Sequence, residues 1–308
     1  LEKIVLWRNF MNIFRKFTNL IYPLVIFPLN RIRPVLTQPD PASQIKLKIT
    51  YESLNHQGKD LPALNEVGFK VFSQADEDGI LLYIFSIIGT INKRCVEIGA
   101  GKGVECNTAN LIINHGWYGL LIDGDKTNIK KGRKYYKTNP HTSLFPPVLE
   151  HAWITRENVN QVLESQDFKG EIDLLSIDVD GIDYWIWEAI DIVTPRVVAI
   201  EYQDIIGPEK ALTIPYIENF NATKYPMTNG MPNYCGASLP AMVKLAKKKG
   251  YRLVGCNRYG YNAFFIKNSL AQNEIPEISI SDCFTHPKVT WGMQERFPTV
   301  KDLPWVEV

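Results

Sequence analysis

Apolar and polar positions follow two alternating rhythms along most of this chain. Continuous apolar runs rich in β-branched residues, RCVEIG from Arg94, YGLLID from Tyr118, IDLLSID from Ile172 and RVVAIEY from Arg196, predict buried strands. Between them, apolar residues recur every three to four positions in TANLIINHG from Thr108, in a basic stretch around Thr127 to Lys137, and in a stretch through Tyr184 and Ile190. This is the βαβ rhythm of a parallel sheet covered by helices. Leu239 to Gly250 predicts one more helix, with a basic last turn and a glycine stop. The runs YRLVGCN and YNAFFIK then flank a short Arg-Tyr-Gly turn, which predicts an antiparallel hairpin instead of another crossover.

The rhythm is absent at both ends. Trp7, Phe10, Met11, Phe14 and Phe17 recur at helical spacing among Arg8, Arg15 and Lys16, and Phe17 to Leu29 is apolar but interrupted by two prolines. That run is shorter than the roughly 18 to 20 residues a membrane span needs. Residues 1–34 are therefore an amphipathic and apolar segment, for which peripheral membrane contact and packing on the domain or on a second subunit, as in a homo-oligomer, are both open. No small-residue cleavage site follows it, so a secretory signal is not expected. Residues 35–68, with Pro39 and Pro41, read as a linker to a domain over 69–268, and 269–308 as a tail wrapping it.

Composition narrows the function without choosing it. Thirty-four basic and thirty-three acidic residues give a net charge of +1, so no global field argues for nucleic acid. Five cysteines without CxxC spacing disfavour a disulfide framework and a zinc site, and suit free thiols in a cytoplasmic protein. The five histidines form no metal-binding pattern.

The chemistry lies in the turns that follow the strands. In VEIGAGKGVEC, Gly99, Gly101 and Gly103 come directly after a strand and before a helix, where a backbone can turn sharply and approach a ligand. The next strand ends in Asp123, 22 positions after Gly101, where a doubly wound fold offers a carboxylate to ribose hydroxyls. Together they predict an adenosine-bearing cofactor and leave nicotinamide and S-adenosylmethionine both open. With FSQADEDGIL (72–81), CVEIGAGKGVECNTANLI (95–112), GWYGLLIDGD (116–125), LLSIDVDGIDYWIW (174–187), IEYQDIIGPEKALTIPY (200–216) and GASLPAMVKLAKKKGYRLVGCNRYGYNAFFIK (236–267), the chain resembles the FkbM-type methyltransferase family over residues 69–267. The resemblance implies a Rossmann-like methyltransferase fold: a mostly parallel seven-stranded α/β sheet with helices on both faces and a C-terminal antiparallel hairpin. It implies S-adenosylmethionine as cofactor, with Glu97, Gly99, Ala100 and Gly101 around its methionine part and Asp123 with Gly124 at the ribose. Asn107 and Thr108 would follow at the start of the next helix, Ser73 and Gln74 would approach from a preceding helix, and Asp178 would stand at the boundary with the acceptor. Where many such enzymes carry Glu followed by proline, this chain has Asp123-Gly124-Asp125.

Acids crowd the turn after the fourth strand. Asp178, Asp180 and Asp183 in SIDVDGIDYW, with Glu201 ending the next strand, sit where open α/β sheets place ligands. Carboxylates that close repel unless protonated or bridged, so Asp178, Asp180 and Glu201 are candidates both for catalysis and for holding Mg²⁺ or another divalent cation. Helix capping by Asp180 and Asp183 is the bland alternative. The expected activity is O-methylation of a hydroxyl on a small-molecule or glycan acceptor, such as a sugar or glycan precursor. A metal-dependent nucleotide-sugar glycosyltransferase using the Asp178-Val-Asp180 triplet and a non-catalytic cofactor-binding scaffold are the alternatives. The basic run KTNIKKGRKYYK reads as a solvated helix face, with phosphate or anionic-glycan contact as its alternative.

Overall fold

The computed structural model describes residues 40–308, so the amphipathic pattern of residues 1–34 lies outside the described residues. The main sheet contains β1 (Arg94–Ile98), β2 (Tyr118–Asp123), β3 (Val148–His151), β4 (Gly170–Ile177) and β5 (Val193–Glu201). Further strands are β6 (Leu212–Thr213), β7 (Met227–Thr228), β8 (Met231–Pro232), β9 (Tyr251–Cys256), β10 (Asn262–Lys267) and β11 (Val306–Glu307). The helices are α1 (Pro41–His56), α2 (Glu77–Ile88), α3 (Ala109–His115), α4 (Lys126–Thr138), α5 (Val159–Ser165), α6 (Asp183–Ala189), α7 (Leu239–Lys249) and α8 (Pro287–Trp291).

The seven-stranded order is β3-β2-β1-β4-β5-β10-β9, parallel through β5, with β10 antiparallel to both β5 and β9. This is the expected fold class. Side chains alternate across the sheet. Val96, Ile98, Leu120, Ile122, Leu175, Ile177, Val198 and Ile200 pack with residues of α5, α6 and α7, including the buried Trp187. Cys95, Leu121, Leu174, Val197 and Ala199 pack with α2, α3 and α4. Both faces are covered, which explains strands that read as continuous apolar runs.

Two segments differ from the sequence expectation. Residues 41–56 are helical, not linker: Pro41 occupies the first helical turn, where its missing N–H removes no hydrogen bond. Tyr51 meets Tyr83 edge to face at 5.0 Å, and the buried Gln44 Oε1 accepts from Asn110 Nδ2 at 2.9 Å, so α1 docks on α2 and α3. The six strands legible in the sequence lack β3, a four-residue strand with only Leu149 buried and therefore no apolar run to betray it. In the tail, β11 pairs with β6, and the buried Arg296 donates to Asn233 Oδ1 at 2.9 Å, joining the tail to the 202–238 segment. Among the described residues no helix is long and apolar enough to cross a membrane.

Candidate active site

Strand register assembles the site. Ile98 pairs with Ile122 on one side and Ile177 on the other, and Ile177 with Ile200. The residues just past those positions, Gly99, Asp123, Asp178 and Glu201, therefore share one edge of the sheet. The strand order reverses there between β1 and β4, which opens a crevice. A cleft of ≈ 450 Å³ occupies it, bounded by the turns after β1, β2, β3 and β4 and by Glu218 and Phe220.

The glycine turn is fixed from both sides. Gly99 and Ala100 N–H both donate to Ile122 O, at 3.0 and 2.9 Å, while Asp178 N–H donates to Ile98 O at 2.9 Å. Gly99 has φ of +87°, and a Cβ there would lie 1.6 Å from the Asp178 carbonyl oxygen, so no other residue fits. Gly101 N–H donates to Asp123 Oδ2 at 2.8 Å. Asp123 Oδ1 accepts from Asp125 N–H at 2.8 Å and Asn128 Nδ2 at 3.2 Å. Asp123 is thus held in one orientation on the cleft wall, with acceptor capacity for one further donor. Of the candidate cofactor residues, Gly99, Gly101, Asp123, Gly124 and Asp178 line it.

Five others, together with Ala100, do not. Glu97 alternates with Val96 and Ile98 and so points into the opposite layer. There its buried carboxylate accepts from Ser176 Oγ at 2.9 Å, Thr108 N–H at 2.8 Å and Asn107 N–H at 3.4 Å. Asn107 Nδ2 completes the network on Ser176 Oγ at 3.0 Å. Glu97, Asn107 and Thr108 brace the exit of the glycine turn from behind, and Ala100 is buried in the same layer. Ser73 and Gln74 precede α2 in irregular chain. Ser73 Oγ donates to Asp78 Oδ2 at 2.9 Å, an oxygen that also accepts the N–H groups of Val71, Phe72 and Ser73. Gln74 is exposed beside Arg258 and Tyr259 in a separate depression.

Three of the acids come together. One carboxylate oxygen from each of Asp178, Asp180 and Glu201 lies within 4.8 Å of the others. Burial, then the facing carboxylates, push Asp178 and Glu201 well above the ordinary carboxylate range. Each of the two disfavours charge on the other, so the pair does not ionise fully together. Burial raises Asp180 as well, and its φ of +52° is a left-handed conformation that asparagine and aspartate tolerate best. Asp183 plays a different part. Fully buried, it accepts from Val179 N–H at 2.8 Å and Gly181 N–H at 3.0 Å, tying down the turn that presents Asp178 and Asp180.

Three cleft residues had no sequence signal. Trp153 follows the unrecognised β3, stacks over the Gly124 position and donates from Nε1 to Glu218 O at 2.9 Å. Phe220 packs on Gly181, where a Cβ would approach its ring to 2.5 Å. Only the link between the 217–220 loop and β3 brings them to the cleft.

No protein-family model and no curated protein matches the chain. Among solved structures, the methyltransferase domain of bacterial CtHen1 matches with a TM-score of 0.41 and 11% identity, over 62% of this chain and 97% of that one. A TehB-like SAM-dependent methyltransferase from Corynebacterium glutamicum matches at 0.33 and 10%, over 74% and 100%. Magnesium protoporphyrin IX methyltransferase from Synechocystis, with SAM bound, matches at 0.34 and 9%, over 56% and 69%. Similarity this low assigns no chemistry to the cleft.

Proposed function

We propose that this chain is an S-adenosylmethionine-dependent O-methyltransferase whose acceptor is a hydroxyl of a sugar or glycan precursor. The observation that carries the reading is the convergence, in one cleft, of a Cβ-excluding turn at Gly99, an oriented carboxylate at Asp123 and the acids Asp178 and Asp180, with Glu201 set behind them. The sequence resemblance to FkbM-type enzymes supports it, and the acceptor class rests on that resemblance.

Bound across Gly99 to Gly101, the cofactor supplies an electrophilic methyl group; the protein must orient a nucleophile and remove its proton. Asp123 holds ribose hydroxyls, and the apolar face of Trp153 walls the adjoining end of the cleft. Asp178, at the junction of turn and acid cluster, takes the acceptor hydroxyl proton, and the neighbouring carboxyls of that cluster raise its basicity. Asp178, Asp180 and Glu201 also form the all-oxygen set that a hard divalent cation takes, and such a cation would lower the hydroxyl pKa.

Calorimetry with S-adenosylhomocysteine, NAD and a UDP-sugar tests the reading. Binding of the first alone is expected. Binding of NAD or the UDP-sugar without it would overturn methyl transfer. Activity that survives thorough chelation would remove the cation and leave Asp178 as the base.

A further inference from the structure

Helix α4 carries Lys126, Lys130, Lys131, Arg133, Lys134 and Lys137, all exposed, and no acidic residue. Among the described residues none of the six forms an ion pair. Ile129, Gly132 and Tyr136 form the narrow face buried against the sheet, and the basic residues occupy the rest of the helix surface. At 3.6 residues per turn, Lys126, Lys130, Lys134 and Lys137 fall within about 80° of one another, a cationic stripe roughly 16 Å long, while Arg133 turns to the sheet edge and donates to Leu149 O at 3.1 and 2.6 Å. In a chain with a net charge of only +1, this is a strong local concentration.

The loop leaving α4 exposes Leu144 at 99% and Phe145 at 72%. It is a folded turn: Thr142 Oγ1 donates to Tyr136 O at 2.7 Å, Ser143 N–H to Asn139 O at 2.8 Å, and Phe145 N–H to Thr142 O at 3.1 Å. A fully exposed leucine beside a mostly exposed phenylalanine, next to unpaired lysines, matches an interface with headgroup phosphates outside and hydrocarbon beneath. A nucleic acid or an anionic glycan would satisfy the lysines but offers no apolar layer to the protruding pair.

We propose that α4 and the Leu144–Phe145 turn form a docking surface for an anionic lipid bilayer. The stripe supplies the long-range attraction and the turn inserts. Since α4 starts beside Asp125, which lines the cleft, a bilayer lying along the stripe brings the cleft mouth close to the headgroups. The docking surface does not depend on the methyl-transfer reading.

The test is co-sedimentation of the full chain with vesicles of phosphatidylcholine alone or containing about 30% phosphatidylglycerol, in low and high salt. The wild-type chain should bind only the anionic vesicles and be released by salt. Lys126→Gln/Lys130→Gln/Lys134→Gln/Lys137→Gln and, separately, Leu144→Ser/Phe145→Ser should each weaken binding at least about tenfold. The lysine variant's thermal midpoint should be unchanged, because those side chains are exposed, and the Leu144/Phe145 variant should stay folded, losing only the contact of Phe145 with the Tyr118 ring at 5.0 Å. Wild-type binding that is absent or equal on both vesicles would overturn the proposal, as would full binding by the lysine variant. Full binding by the Leu144/Phe145 variant would also overturn it, leaving a purely electrostatic anion surface. An oligonucleotide bound more tightly than the anionic vesicles, and lost in the lysine variant, would reassign the stripe to nucleic acid.

Discussion

Two carboxylates of the β4 region, Asp173 buried within the strand and Asp178 half-buried just past its end, are treated in opposite ways. Asp173, fully buried, accepts from the N–H groups of Ile91, Asn92 and Lys93 and pairs with Arg196 Nη1 at 3.0 Å. The same guanidinium donates to the carbonyls of Gly89 and Ile88 at 2.7 and 2.8 Å, so every charge there is compensated. Asp178 faces Glu201 and Asp180 and has no cation beside it among the described residues. A carboxylate placed for stability is surrounded by donors and an opposite charge. One left among its own kind, as Asp178 is, has the surroundings that suit accepting a proton or holding a ligand, at a cost the rest of the fold offsets.

That contrast can be broken by exchanging what each carboxylate does. Asp178→Asn should lower methyl-transfer turnover by roughly 10²- to 10⁴-fold. Removing one of three mutually repelling groups should leave the thermal midpoint unchanged or raised. Retained turnover, checked against S-adenosylhomocysteine affinity by calorimetry, would make the acid cluster merely structural. The converse is Arg196→Met, which leaves Asp173 without its cation and should cost about 3–5 kcal/mol in denaturant unfolding. Turnover per folded molecule should be unaffected, and a selective loss of activity would show that the two carboxylates are not separable.

Smaller effects sharpen the picture. Asp123→Ala should weaken S-adenosylhomocysteine binding about 10- to 100-fold, the scale of a lost hydrogen bond to a charged group. An unchanged dissociation constant would remove Asp123 from the cofactor site. The smallest expected effect belongs to His115, at the same end of the sheet as Asp173, whose Nε2 lies 2.8 Å from Gln44 Oε1. Burial, with Lys48 and Lys93 nearby, lowers it from 6.5 to about 4. The fold therefore favours neutral imidazole: its contribution is complete above pH 6.5 and is lost as pH falls toward 4. After allowance for partial solvent screening this is on the order of 1–2 kcal/mol. His115→Gln should flatten that part of the stability profile, and an unaltered slope would assign it to other groups.

The parts of the fold legible in the sequence are those where burial forces a pattern. Six strands, the helices over α3, α4, α6 and α7, and the closing hairpin all carry one, because strands covered on both faces must be apolar throughout. β3 carries none, being short and largely uncovered. α1 was concealed by prolines that break a helix in its interior but suit its first turn, and nothing local distinguishes the two cases.

By itself the sequence determined the order of the six apolar strands and their turns, and with it that Gly99, Asp123, Asp178 and Glu201 each stand at a strand's carboxyl end. Only the tertiary structure decided which side chains face the cleft. Side-chain direction at a strand end depends on register and on which layer a residue's alternation selects, so Glu97 turned inward to brace the loop while Trp153 and Phe220 arrived from distant loops. A carboxylate's surroundings are likewise set by strand pairing: Asp173 and Asp178, five residues apart, read alike in the chain and differ because one meets Arg196 and the other Glu201.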